Sequence, residues 1–325
     1  LPLDESAPAP TLDPWFPRMQ HDDAHPDAIA AFRLDSPHDG ERLDAALRSL
    51  VTGLSLQRAR AACGIGCVAV GGVRAIATQR LRSNDLVQVR PGMVDLSLTI
   101  GSAVVCDRGG VLVLYKVPGE AVHAGPLVED PIAERLQRAL PQAGLCQRLD
   151  RPASGLLLCG RDEAAVSAIS QAMERGEIER EYLGIAHGVV ERDEGTIDAP
   201  LRITDEPRGD RPKVIVDHEN GLPSVTHVRV IARGKTCTLV RLKLETGRTH
   251  QIRAHLRAIG HPLLGDPRYG DHEANAHAHK THGIARTLLH SEKVALVAPH
   301  SGERVEIEAF HEPDFVRLFP SLRQR

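Results

Sequence analysis

Two stretches of this 325-residue chain set charged side chains where chemistry could use them. The first, CQRLDRPASGLLL at 146–158, places Asp150 between Arg148 and Arg151 and follows it with Pro152, a small Ala-Ser-Gly turn and an apolar strand. Proline and small residues fix a loop whose backbone can approach a ligand closely. Flanking guanidinium groups favour the carboxylate, so Asp150 is expected to be ionised. An ionised acid in a fixed loop suits a nucleophile or a general base, not a proton donor. On this segment alone a structural salt bridge is the stronger reading. The second stretch, LETGRTHQIRAHLRAIGHPLLGDPRYG at 244–270, ends a strand at Thr246 and Gly247 and begins a helix near Thr249. Ile252, Leu256 and Ile259 recur at the spacing of one helix face and are predicted to pack inward. Arg253 then lies in the first turns, where a helix N-terminus already favours anions. Its guanidinium can grip a carboxylate or a phosphate through two hydrogen bonds. For Arg257 a solvated helix face is explanation enough.

These segments need a scaffold. From about residue 98 onwards, apolar strands alternate with short helices. Strands are predicted at 111–117, 155–160, 181–188, 226–232, 237–245, 294–299 and 303–310, and helices at 131–140, 162–176 and 249–260. Many strands, few helices and loops mainly of hairpin length indicate an α+β domain built on a mixed, mostly antiparallel sheet with flanking helices. At roughly 150 residues per domain the length suggests two domains. The division expected is an acidic, Pro-rich arm over 1–33 that Trp15 and Phe16 could pin down, a small module over 34–93, and the large domain over 98–325.

The small module reverses the charge of the arm. Arg42, Arg48, Arg58, Arg60, Arg74, Arg80, Arg82 and Arg90 face only Glu41, Asp44 and Asp85 between residues 41 and 92. Leu43, Leu47 and Leu50 mark an amphipathic helix, Ser55 caps a second one, and two strands follow, one with a Gly-Gly turn and the other entered through a turn at 83–85. Two short helices bearing Arg beside a curled hairpin suit a phosphate backbone. The pattern resembles the small RNA-binding module first recognised in a ribosomal small-subunit protein. The matches are Arg42, Leu43 and Asp44, then Ser55 to Arg58, residues 67–72, and Asn84 to Val87, with Gly71 where Asn is usual and Asn84 where Gly is usual. On this resemblance Arg42, Arg58 and Arg60 are the module's expected RNA contacts.

Taken together, the two chemical segments resemble the RluA-type family of RNA pseudouridine synthases. The family reads H-R-L-D-x-x-T-S-G-L-L where residues 147–157 read QRLDRPASGLL. Its T-G-R-x-H-Q-I-R-x-H-L-x-x-x-G-x-P-I-x-G-D-x-x-Y-G is met almost fully by 246–270. Its basic-x-Y stretch falls at Arg180 to Tyr182, and its late L-H-A-x-x-L element at 289–296, with Ser291 in place of Ala. The resemblance covers roughly 98–310 and implies a pseudouridine-synthase sheet and an isomerase. A uridine is flipped out of structured RNA, its glycosidic bond is broken, and the base is rejoined through carbon 5, with no metal or organic cofactor. It makes Asp150 the essential aspartate, attacking the anomeric carbon or removing a sugar proton. Arg253 becomes its cationic partner. Tyr182 stacks on the base and takes its proton late, and Arg148 fills the space the uridine leaves. Arg151, Arg248, His250 and Gln251 are further expected RNA contacts. Gln147 stands where the family has His and Ala153 where it has Thr, changes expected to shape RNA contacts and loop order more than bond making.

Composition bounds the rest. Forty basic against 43 acidic residues give a net charge of −3, which excludes a globally basic nucleic-acid binder but not a locally basic face. Hydrophobic residues at 42% and charged residues at 26% exclude a collagen, a coiled coil or a wholly disordered chain. No apolar run is long enough to cross a membrane, and the opening LPLDESAPAP lacks the marks of a secretory leader. Six scattered cysteines without zinc-site spacing are expected to be free thiols in the cytoplasm. His272, His277, His279 and His282 in 271–283 are expected in an exposed loop and not at a metal. RNA is the expected partner, ribosomal before transfer RNA, with no membrane and no obligate protein partner. A catalytically silent RNA-binding or assembly factor on the same fold is the alternative. A carboxylate-based hydrolase ranks low, because Ser154 lacks G-x-S-x-G surroundings.

Overall fold

The computed structural model describes residues 29–34, 36–126, 128–204 and 213–323. The expected arm lies outside these residues as far as position 28, Trp15 and Phe16 included. Its last residues are not arm. Ala30–Arg33 form β1, which pairs antiparallel with β4 (Leu86–Val89) at the edge of a four-stranded sheet completed by β2 (Val68–Val70) and β3 (Val73–Arg74). Ala30 and Phe32 pack against the core there, in a segment too short to show a period. Helices α1 (Leu43–Leu50) and α2 (Leu56–Gly64) cover this sheet, and Ser55 caps α2 by accepting the Arg58 amide at 3.3 Å.

Beyond α3 (Val94–Ile100) the chain builds one ten-stranded sheet. Its elements in order are β5 (Ala103–Arg108), β6 (Val111–Lys116), α4 (Ile132–Ala139), β7 (Gly144–Leu145), β8 (Ser154–Gly160), α5 (Glu163–Glu174), β9 (Glu179–His187), β10 (Glu194–Asp198), β11 (Leu201–Ile203), β12 (Val214–Val216), β13 (Val225–Arg233), β14 (Cys237–Leu244), α6 (Gln251–Ala258), α7 (His272–His282), β15 (Leu289–Val297), β16 (Arg304–Glu308) and α8 (Pro313–Leu318). The sheet runs β10-β13-β14-β9-β15-β8-β6-β5, with β16 beside β15 and β7 beside β8, while β11 and β12 form a separate hairpin. Every pair in the large sheet is antiparallel except β8 with β15. The continuous apolar runs of β6 and β8 follow from cover on both faces. Val111, Val113, Leu156 and Leu158 face a core shared with the small module, and Leu112, Leu114, Leu157 and Cys159 face the core beneath α4 and α6. The module is joined to the large sheet by buried polar contacts as well. Arg74 pairs with Glu312 at 3.0 Å, and Glu312 also accepts the Tyr115 hydroxyl at 2.7 Å. Among the described residues no helix is long and apolar enough to cross a membrane.

Two expectations fail here for local reasons. Residues 272–282 are a helix, not a loop: Asp271 caps it by accepting the Ala274 amide, and Gly283 closes it in the left-handed conformation. Its histidines fall at different positions around the helix, and among the described residues no three metal-ligating side chains gather. Ile259 is exposed and does not pack inward, because α6 has ended at Ala258 and Ile259 is its C-cap.

The β8–β15 contact brings the chemical segments together. Ser291 of β15 is aligned with Tyr182 of β9 on one side and with Gly155 of β8 on the other, so Tyr182 lies in the same row as the strand that leaves Asp150. The approach at Gly155 is tight. Its φ is +101°, and a Cβ there would sit 2.1 Å from the Ser291 carbonyl oxygen. Gly155→Ala is therefore expected to cost more than about 4 kcal/mol, through backbone displacement on top of a disfavoured φ. Urea unfolding of the purified variant, or its absence from the soluble fraction, checks this.

His290, next in line, donates to or accepts from Ser154 Oγ at 2.9 Å and is buried among Tyr115, His311 and Phe315. Burial, helped by His311, pulls its imidazole from its ordinary value near 6.5 down to about 3. A depressed folded-state value means the unfolded chain takes up the proton first. Stability is then complete above about pH 6.5 and falls as the pH drops towards 3, by roughly 1.4 kcal/mol per pH unit. His290→Gln should show a shallower acid limb in urea-unfolding free energies between pH 6.5 and 4.

Candidate active site

The loop that carries Asp150 is held by its own carbonyls. Lys116, at the buried end of β6, donates to Arg151 O at 3.0 Å and Ala153 O at 2.5 Å. Arg286 donates to Pro152 O at 3.2 Å and is itself gripped by both oxygens of Asp314. The Gly119 amide adds a bond to Arg151 O, and the Ala153 amide closes a turn on Asp150 O. Three consecutive carbonyls are thus satisfied by cations and an amide, and the Asp150 side chain is left projecting into a cleft of about 1940 Å³. Burial lowers the Lys116 ammonium to about 7.

Arg253 meets Asp150 from the first turn of α6. Its Nη1 donates to Asp150 Oδ2 at 2.8 Å, while Nε and Nη2 donate to the two oxygens of Asp266 at 2.6 and 2.8 Å. Asp266 is 1% exposed and also accepts the Arg268 and Tyr269 amides, so the GDPRYG turn folds around it. The Arg253 guanidinium lies 4.9 Å from the centre of the Tyr269 ring. Although burial opposes its charge, the two carboxylates raise its pKa further above the usual arginine range. Asp150 keeps 25% exposure, so one carboxylate oxygen is anchored and the group still faces the cleft.

His250 completes this wall. It adopts φ +52°, unusual for a residue with a side chain, immediately before α6. Its Nδ1 lies 2.9 Å from the Tyr269 hydroxyl and its Nε2 3.8 Å from Asp150 Oδ1. Burial lowers its pKa against the opposing pull of Asp150. Tyr182 lines the same cleft, and burial pushes its phenol up. The arrangement offers an anchored carboxylate, a fixed cation and an aromatic ring around one cavity. It can stabilise positive charge developing on a sugar and accept a planar base.

Of the expected RNA contacts, Arg148 and Arg248 are exposed at the cleft, and Arg151 lines it with Nε bound to Gly119 O. Gln251 is a correction. It is 2% exposed, its amide oxygen accepts from Arg248 N and Thr246 Oγ1, and its amide nitrogen donates to Val225 O and Thr226 Oγ1. It shapes the strand-to-helix turn from inside and has no group left for RNA. Arg42 and Arg60 both pair with the buried Asp44, and Arg58 pairs with Asp95, so each shares its charge with a carboxylate of the chain. Asp266, Lys116 and Arg286 join the site only through the fold. Asp266 sits in the quoted GDPRYG turn, and a lysine ending an otherwise apolar strand is the signal that Lys116 offered. Arg286, in the short loop before β15, carries no such mark.

Comparison with known proteins points to one family. The family model described as RNA pseudouridylate synthase matches residues 110–258. An uncharacterized RNA pseudouridine synthase of Bacillus subtilis is 32% identical over 298 residues, covering 87% of this chain and 95% of its own. The ribosomal large subunit pseudouridine synthase D of Nitrosomonas europaea is 31% identical, with 87% and 85% covered. Among solved structures, human RNA pseudouridylate synthase domain containing 1 aligns with a TM-score of 0.52 at 26% identity, over 63% of this chain and 81% of its own. With the sheet, the cleft and these relatives in agreement, the chain belongs to the RluA-type RNA pseudouridine synthases, isomerases that convert uridine in RNA to pseudouridine.

Proposed function

We propose that this protein isomerises a uridine of large-subunit ribosomal RNA and that Asp150 is the carboxylate on which the reaction depends. The observation that carries the proposal is the Asp150–Arg253 contact of 2.8 Å at the wall of a cleft that Tyr182 also lines. A uridine everted into that cleft rests its base on Tyr182 and presents its ribose to Asp150. The N1–C1′ bond breaks, the uracil turns, and a C5–C1′ bond forms. The proton leaving C5 balances the one gained at N1, so the reaction needs no outside reactant. Asp150 acts at the sugar with Arg253 holding it in position, and Tyr182 takes the C5 proton. Arg148, Arg151, Arg248 and His250, which line the cleft, hold the flanking RNA. The small module supplies a second contact, through Arg42, Arg58 and Arg60 and the exposed Arg48 and Arg82.

The choice of ribosomal over transfer RNA rests on relatives named as large-subunit synthases, of which the Nitrosomonas europaea enzyme is one. The cysteine usage of the chain, six free thiols and no disulfide, is in keeping with action in the cytoplasm. Pseudouridine mapping of total RNA from strains with and without the protein tests the proposal. One or a few positions missing from large-subunit RNA are expected. A loss confined to transfer RNA, or no loss, contradicts it.

A further inference from the structure

Arg180 differs from the arginines around it. It precedes Tyr182 by two residues on β9, so the pleat turns both side chains to the same face, and both line the cleft. Arg180 is 5% exposed. The buried Arg253 is matched by Asp150 and Asp266, and the half-buried Arg74 by Glu312. Arg180 forms no ion pair among the described residues. Its Nη1 reaches Met173 Sδ at 3.6 Å, and its Nε is buried with no hydrogen-bond partner.

A guanidinium so buried, with no anion beside it, has lost most of its water and gained only a weak sulfur contact in return. Its five donors form a fork that fits a phosphate on two edges. The backbone around it leaves room for this fork. Gly247, at the turn into α6, is so close that a Cβ there would lie 3.1 Å from Nη1. The cation is thus held at a glycine-lined point of the cleft wall, one strand repeat of roughly 7 Å from Tyr182.

We propose that Arg180 is a phosphate subsite, taking a backbone phosphate of the RNA beside the everted nucleotide whose base lies on Tyr182. The proposal rests on the reading of the cleft as a uridine site. It assigns the buried cation a partner that only the substrate brings. A cation kept for structure should stabilise the free protein. One kept for a ligand should cost stability until the ligand arrives.

The two cases are separated by measuring stability and RNA affinity together. Full-length protein is titrated into a labelled twelve-nucleotide oligouridylate across a potassium chloride series, and thermal unfolding is followed without RNA. Arg180→Met is expected to unfold at the same temperature as the parent or higher. It should bind the oligouridylate about ten-fold more weakly at low salt, with a log K against log salt slope smaller by about 0.7, the loss of one single-strand phosphate contact. Arg180→Lys should restore the slope. An Arg180→Met protein with unchanged affinity and slope would overturn the subsite, as would one that binds normally and melts lower. If Arg180→Met does not fold, the structural role is favoured and the subsite is overturned, unless Arg180→Gln folds and shows the loss of affinity. Because this assay needs no turnover, a parent protein that makes no pseudouridine in ribosomal RNA would fail the functional reading alone, with the binding result still standing on its own.

Discussion

Asp150→Asn is expected to abolish pseudouridine formation while leaving a folded protein that still binds RNA. The amide keeps the size of the side chain and removes only its charge. Arg253 keeps a full partner, because both Asp266 oxygens remain at 2.6 and 2.8 Å, so no buried cation is stranded. The side chain is also partly exposed, so little solvation is at stake. Loss of a group that acts directly on the reacting sugar lowers single-turnover rates by about 10⁴-fold or more. The dissociation constant for an unmodified large-subunit transcript should change by less than about three-fold, and the midpoint of urea unfolding hardly at all. Chromatographic quantification of pseudouridine after a single turnover, beside a binding isotherm, reads both quantities.

Arg253→Ala should show a second large effect, and a different one. It removes the cation from Asp150 and, at the same time, leaves Asp266 buried at 1% exposure with a negative charge and only two backbone amides. Breaking one side of a buried ion pair costs about 3–5 kcal/mol. The single-turnover rate should fall by about 10³-fold through loss of fixed charge at the developing transition state. Combining Arg253→Ala with Asp266→Asn separates the two roles. The double variant should regain part of the stability, since the stranded charge is gone, and none of the activity. Recovery of activity in the double variant would mean that Arg253 serves the GDPRYG turn alone.

The sequence carried the chemical segments in full and their surroundings in part. Asp150 and Arg253 were readable because each sits in a long, ordered pattern of turn residues and helix periodicity. Their contact depends on residues 103 positions apart and on the parallel β8–β15 pair, which no local pattern encodes. Strands such as 111–116 stood out because burial on both faces makes them continuously apolar. The helix at 272–282 did not, because its four histidines, lysine, asparagine and alanines have no apolar period, and only the Asp271 and Gly283 caps define it. Gln251 shows the limit of carrying a motif residue over as a ligand contact. Its position is set by the strand-to-helix turn that it satisfies from within. Asp266 shows the reverse case: the residue that holds Arg253 was in plain view, but only the folded turn shows which way it points.

The most direct measurement is pseudouridine mapping of ribosomal RNA in a strain whose only copy of this protein carries Asp150→Asn, alongside one carrying the unaltered chain. The account predicts that the position modified by the unaltered protein stays uridine in the variant strain, at equal protein level. Full modification at that position in the variant strain would show that the isomerisation does not depend on this carboxylate.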